Sequence, residues 1–242
     1  MKTYGYDLHV HSCLSPCGDN DMTPNNLVQM ALLSGCDILA LTDHNTCRNA
    51  PAAMEAGARC GLLVIPGMEL CTSEEAHVVC LFETLEGALE FDRYVYEHMP
   101  HVPNRPEIFG EQRLLDGEDT LLEQEQNLLL VSSFISVDQV VALTAAYGGV
   151  AFPAHVNRDS YSVIASLGAL PPEAGFTAAE VTRDCDLQAF QKLHPELSGL
   201  SVFRNSDAHY LETLAEEPWK ISLPEKSVQA VLQAVLQAVQ GQ

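Results

Sequence analysis

Seven short apolar runs, separated by stretches of helical periodicity, constrain this chain more than any other feature. They lie at 4–11 (YGYDLHVH), 37–43 (DILALTD), 62–70 (LLVIPGMEL), 76–82 (AHVVCLF), 149–155 (GVAFPAH), 178–183 (AAEVTR) and 201–207 (SVFRNSD). Strand and helix in alternation imply βα units and a mostly parallel sheet. Seven strands fit a closed or nearly closed α/β barrel better than a two-layer sheet, and 242 residues suffice for it as one domain spanning 1–242.

The helical segments carry their own boundaries. Thr23 and Pro24 open NNLVQMALLSG as N-cap and first-turn proline, and Gly35 stops it. Further helices are expected at 50–59, ended by Gly61, at 85–98, at 136–147 between Ser136 and Gly148-Gly149, and at 225–240. In the last, Val228, Val231, Leu232, Val235, Leu236 and Val239 form one stripe, expected to pack on the outside of the barrel. Residues 100–135 break the rhythm and read as an inserted hairpin about an Asp116-Gly117 turn, its acidic residues a solvated face.

Nearly every expected strand ends in a side chain able to hold a metal. The first gives His9 and His11, followed by Cys13, Cys17, Asp19 and Asp21. The second ends in Asp43-His44-Asn45 and the third in Glu69. His77 opens the fourth, His155 closes the fifth, and Asp207-Ala208-His209 follow the seventh. Strand alternation sends residues i and i+2 to one face, so His9 and His11 can grip one ion together. Barrel enzymes collect active-site residues at the C-terminal rim. Burying so many ionisable groups without ions would cost several kcal/mol apiece. Imidazole mixed with carboxylate suits Zn²⁺, Mn²⁺ or Fe²⁺ better than Ca²⁺.

Charge and cysteine usage narrow the setting. With 12 Lys+Arg against 33 Asp+Glu the formal net charge is -21, a field that repels polyphosphate, so a duplex nucleic-acid partner is not expected. The segment MKTYGYDLHVHS contains no run apolar enough for a signal peptide, and no stretch has the length of a membrane span, so a cytoplasmic protein without a membrane partner is expected. Its 8 Cys include no CxxC pair and read as reduced thiols.

The residues DLHVHS (7–12), TDHN (42–45), GMEL (67–70), EAHVVCLF (75–82), PAHVNR (153–158) and NSDAH (205–209) resemble, in order, the motifs of the polymerase and histidinol phosphatase (PHP) superfamily. The resemblance implies a distorted (β/α)7, TIM-like barrel with two or three divalent ions. It implies that His9, His11, Glu69 and Asp207 hold one ion, that Glu69 bridges to a second held by His77 and His155, and that Asp19, His44 and His209 hold a third. Cys17 is the alternative to Asp19 in that loop.

Two or three ions ~3.5–4 Å apart bind a phosphate and lower the pKa of a water toward neutrality, so no Ser or Cys nucleophile is needed. Arg158 is placed to clamp a phosphate oxygen, with Arg48 and Arg183 as weaker choices. Asp43 is placed to orient His44 or a metal-bound water. His98, His101 and His194 match no motif. The implied activity is hydrolysis of a small phosphomonoester, with nucleotide-derived esters, such as a nucleoside bisphosphate or the 5′ end of a short oligonucleotide, among the candidates. Two alternatives stay open: an amidohydrolase-type hydrolase and a metal-binding module without turnover. The first commonly uses a carboxylated lysine, and none of Lys2, Lys192, Lys220 and Lys226 lies at a central strand end.

Overall fold

The computed structural model describes residues 1–214 and 216–237. In chain order the strands are β1 (Lys2–Val10), β2 (Ile38–Leu41), β3 (Leu63–Cys71), β4 (His77–Phe82), β5 (Arg113–Leu115), β6 (Leu121–Gln124), β7 (Gly149–Pro153), β8 (Ala178–Val181), β9 (Ser201–Arg204) and β10 (Trp219–Leu223). The helices are α1 (Pro24–Ser34), α2 (Ala50–Cys60), α3 (Leu85–Glu97), α4 (Pro106–Phe109), α5 (Val137–Ala146), α6 (Val163–Leu167), α7 (Leu187–Leu193), α8 (Leu211–Leu214) and α9 (Val228–Leu236). Each of the seven apolar runs contains a strand. Among the described residues no helix is long and apolar enough to cross a membrane.

The strands do not close into the complete barrel expected from their number. Six form one mixed sheet in the order β10-β1-β2-β3-β4-β7, while β8 and β9 make a separate parallel pair. A parallel neighbour needs a crossover of about a dozen residues. The link from β3 to β4 is instead a tight turn in which the Thr72 amide donates to the Ala76 carbonyl at 2.9 Å, so β4 runs antiparallel. β10, unforeseen in the sequence, adds an antiparallel edge to β1. Where ladders are missing, side chains bridge the seams. Asn205 Oδ1 accepts from the Leu8 amide at 2.8 Å, and Glu180 Oε1 accepts from the His155 amide at 3.0 Å.

Helix starts follow local chemistry. The Thr23 hydroxyl accepts from the Asn26 amide at the start of α1, and Gly35, at φ 87, ends it in a left-handed conformation that glycine adopts without Cβ strain. Residues 100–135 contain the β5–β6 hairpin, and the Arg113 amide donates to the Cys13 carbonyl at 2.9 Å, tying it to the loop after β1.

Two faces of the sheet carry different cores. Leu39, Leu41 and Val64 pack with α1 and α2 residues. Leu8, Ile38, Ala40, Ile65, Val79 and Phe152 form a cluster on the other face. That second face is where α9 packs, through Val231, Leu232 and Val235, so the stripe does not lie outside a barrel as expected. An open sheet leaves this face uncovered, and α9 supplies the apolar lid. The expected helix residues 238–240, with Val239, fall outside the described residues.

Candidate metal centre

Backbone irregularities aim the donors at one place. Asp7 pairs with Leu39 and Val10 with Leu41, so Leu8 and His9 together face the single residue Ala40. This bulge adds a residue to β1 and re-aims the side chains beyond it, turning His9 and His11 toward the side lined by Tyr6 and Leu8. Of six non-glycine residues with positive φ among the described ones, His155 and Asp207 are donors and Asn45 and Tyr161 border them. Such conformations cost ~1–3 kcal/mol each and persist where the surroundings impose them.

Glu69, fully buried at the end of β3, is the hub. Its Oε1 lies 3.2 Å from His9 Nε2, 2.9 Å from His77 Nδ1 and 3.1 Å from His155 Nε2. Its Oε2 lies 3.2 Å from His11 Nε2 and 3.0 Å from His44 Nδ1. Asp207 Oδ1 stands 3.4 Å from His9 Nε2 and 3.2 Å from His11 Nε2, and those two nitrogens are 3.2 Å apart. Four ligands at ~2.0–2.1 Å from one tetrahedral ion would be about 3.3 Å from one another, which matches this set. Donor atoms also converge within 4.8 Å in two further groups, His44/Glu69/His77 and His11/His44/His209.

The other side of each ring is fixed. Glu180 takes His9 Nδ1 at 3.0 Å, Asn205 Nδ2 at 2.7 Å and the His155 amide. His11 Nδ1 meets Ser15 Oγ at 2.9 Å, and that hydroxyl donates to Asp43 Oδ1 at 2.7 Å. With their Nδ1 atoms engaged by Glu180 and Ser15, His9 and His11 present their Nε2 atoms to the carboxylates of Glu69 and Asp207. Glu69 Oε2, Asp207 Oδ1 and His44 Nδ1 are buried without a hydrogen-bond partner. Buried polar atoms with no partner are costly, and a cation at the centre satisfies them. The donor set therefore fits divalent ions of the imidazole- and carboxylate-binding kind.

Protonation follows the same charges. Burial opposes a proton on His9, yet Glu180, Glu69 and Asp207 outweigh it and hold the ring well above its ordinary value. Burial likewise opposes the proton on His77, and Glu69 raises it to about 10. At His44 burial wins and lowers the pKa to about 3, as it lowers that of His209 to about 4. Glu69 stays ionised despite burial because the charges of His77 and His9 face it.

The structure brings His9, His11, His44, Glu69, His77, His155, Asp207 and His209 together and leaves Asp19 out. Asp19 is exposed, its carboxylate accepting from the Asp21 amide at 2.8 Å in a local turn. Cys17 lines the cavity over the donors. Asp43 does not orient His44's ring or face the cavity: its oxygens accept from Ser12 and Ser15, so it acts on His11 through Ser15. Arg158 Nη1 lies 2.6 Å from Asp207 Oδ2 and lines the same cavity of about 240 Å³. Arg48 is tied to Glu123 and Glu125 beside a larger cavity of about 510 Å³ that holds none of the clustered donors. Arg183 pairs with Glu216 at 2.7 Å and lies over Trp219. His98, His101 and His194 stand beside Tyr94, Tyr96 and Phe190, away from the cluster. Glu180 and Asn205 were missed; their signal was a lone acid within the apolar strand AAEV and an Asn just before the NSDAH donors.

The chain matches the family model described as "PHP domain" over residues 7–165. It is 42% identical over 76 residues to the 5′-3′ exoribonuclease Rnm of Salmonella typhimurium, covering 31% of this chain and 25% of that protein. The lesion-specific endonuclease PfuEndoQ of Pyrococcus furiosus superposes with a TM-score of 0.72 at 16% identity, over 99% of this chain and 57% of that one. An endonuclease Q complex with a 27-mer duplex substrate gives 0.69 at 17% identity, over 99% and 58%. The chain thus spans about a quarter of the exoribonuclease and little more than half of the endonuclease. These findings overturn the exclusion of duplex nucleic acid drawn from net charge, since a protein containing this fold is seen with a duplex. Net charge describes the far field, which salt screens beyond about 8–10 Å, and says little about a site where cations offset carboxylates.

Proposed function

Because the chain belongs to the PHP domain family, we propose that it is a metal-dependent phosphoesterase whose substrate is a phosphate ester of a nucleotide, free or at the 5′ end of a strand. The observation that carries the reading is the Glu69 hub, one buried carboxylate with five imidazole nitrogens within 3.2 Å.

In this reading His9, His11, Glu69 and Asp207 would hold one ion, His77 and His155 would share Glu69 in holding a second, and His44 and His209 would offer donors for a third. Bound divalent ions supply positive charge for the phosphate oxygens and an activated water. The remaining work belongs to the chain. Glu180 and Ser15 hold His9 and His11 in the tautomer whose Nε2 is free. Arg158 neutralises Asp207 Oδ2 and stands ready to take a phosphate oxygen. No lysine stands among these donors to serve as the carboxylated bridge common in amidohydrolases, which weakens that alternative. The Rnm exoribonuclease and endonuclease Q names support a nucleotide-derived substrate.

The test is a panel of mononucleotides, nucleoside bisphosphates and short oligonucleotides offered to the Mn²⁺-loaded protein, with bound metal measured in parallel. The reading expects two or three ions per chain and release of phosphate or nucleotide from some panel member. Ions bound with no turnover on any of them would leave a binding module.

A further inference from the structure

We propose that the loop between β7 and α6 carries a nucleobase platform, with Tyr161 as the stacking ring, so that the cavity selects nucleotides over base-free phosphate esters. This rests on the phosphoesterase reading above and names the substrate feature that its site recognises.

Tyr161 lines the 240 Å³ cavity together with Glu69, His77, Leu130, Arg158 and Asp207. One face of its ring lies on His77, with centroids 5.1 Å apart and planes at 24°. The residue is nevertheless 54% exposed. A large ring left half in water beside a polar cluster is a surface that a second flat ring can cover. Its backbone is at φ 55, a region where a bulky residue is an outlier. Neighbours hold it there: the His77 amide donates to the Tyr161 carbonyl at 2.9 Å, the Arg158 amide to the His155 carbonyl at 2.9 Å, and the Ser162 hydroxyl to the Arg158 carbonyl at 2.7 Å. The same short loop therefore fixes a donor imidazole, a guanidinium and an aromatic ring relative to one another. Leu130, within residues 100–135 and 36% exposed, adds an apolar wall to that cavity.

Charge strengthens the case for a base. Arg158 is the one Lys or Arg side chain lining this cavity among the described residues. Affinity for a nucleotide then has to come from the ions and from stacking, which does not depend on basic residues.

Calorimetric titration of the metal-loaded full chain with adenosine 5′-monophosphate and with ribose 5-phosphate separates the contributions. Base–aromatic stacking predicts about 10- to 100-fold tighter binding of the nucleotide. Tyr161→Ala should remove that preference, leaving ribose 5-phosphate affinity and metal content within about twofold, and Tyr161→Phe should retain it. Tyr161→Leu, which keeps apolar bulk without a ring, guards against misreading a folding defect and should also lose the preference. Equal affinity of the unmutated protein for the two ligands, or equal weakening of both in Tyr161→Ala together with metal loss, would overturn the platform and leave Tyr161 a cover for His77. Base preference without hydrolysis of any phosphate ester would instead sink the phosphoesterase reading and leave the platform standing.

Discussion

His9 shows how one residue's role is set from both sides of its ring. Its Nε2 looks into the donor cluster and its Nδ1 is held by Glu180, a buried acid that also reaches Asn205 and the His155 amide. Loss of such an orienting partner typically weakens metal affinity 10- to 100-fold. Glu180→Gln is expected to weaken the tightest ion by about that factor in a chelator competition, with the far-ultraviolet spectrum unchanged; an unaltered affinity would remove Glu180 from the account. Protons compete for the same nitrogens. An unfolded imidazole titrates near 6.5, whereas folded, metal-free His77 holds its proton to about 10 and His9 is raised as well. Raised folded values mean stability that is fully present below about 6.5 and lost as pH rises through about 10. Urea midpoints of the chelated protein are expected to fall over that interval, while metal affinity rises with pH as the proton is surrendered.

At the scale of elements, β3 delivers Glu69 and has no room to spare beneath it. A Cβ on Gly67 would come within 2.9 Å of the Cys80 carbonyl oxygen, the Leu81 side chain and the Thr42 methyl. Gly67→Ala is therefore expected to cost about 1–3 kcal/mol in equilibrium unfolding and to lower metal loading by shifting Glu69; a neutral effect on both would show that the strand yields. α9 is the second test at this scale. Leu232, buried on the face opposite α1 and α2, should cost about 2–5 kcal/mol on truncation to Ala. A cost under about 1 kcal/mol, typical of a surface site, would mean that α9 does not cover that face. Strands and donors were legible in the sequence because the apolar runs are short and most carry a His, Asp or Glu at or beside one end. Glu180 was not, since a single acid in AAEV looks like any solvent-facing strand position until β8 is seen beside β7. The bulge in β1 was equally hidden, because an extra residue in a ladder shows only in the pairing. Asp19 looked like a donor by position, and the short turn that caps the Asp21 amide takes its carboxylate elsewhere.

At the scale of the whole molecule, the open sheet explains both the seams and the centre. β8 and β9 approach the main sheet through Glu180 and Asn205, so the joints that interrupt the ladders also hold His9 and His155. The expectation of a closed barrel placed the seven strands from apolar runs and missed β10 and the antiparallel direction of β4 and β10, which no apolar pattern reveals. The net charge of -21 misled about nucleic acid because it was summed over the chain while recognition belongs to one cavity. Metal binding should act on the global equilibrium. At a free concentration about 100-fold above the dissociation constant, one ion adds about 2.7 kcal/mol, and chelation should lower the thermal midpoint accordingly. The most direct measurement is anomalous X-ray scattering at the zinc edge from crystals of the Zn²⁺-loaded protein. The account predicts at least two peaks, one on each side of the Glu69 carboxylate and about 2.0–2.2 Å from its oxygens, with His9, His11 and Asp207 around one of them. Zinc peaks elsewhere with Glu69 unligated, or none at saturating metal, would contradict it.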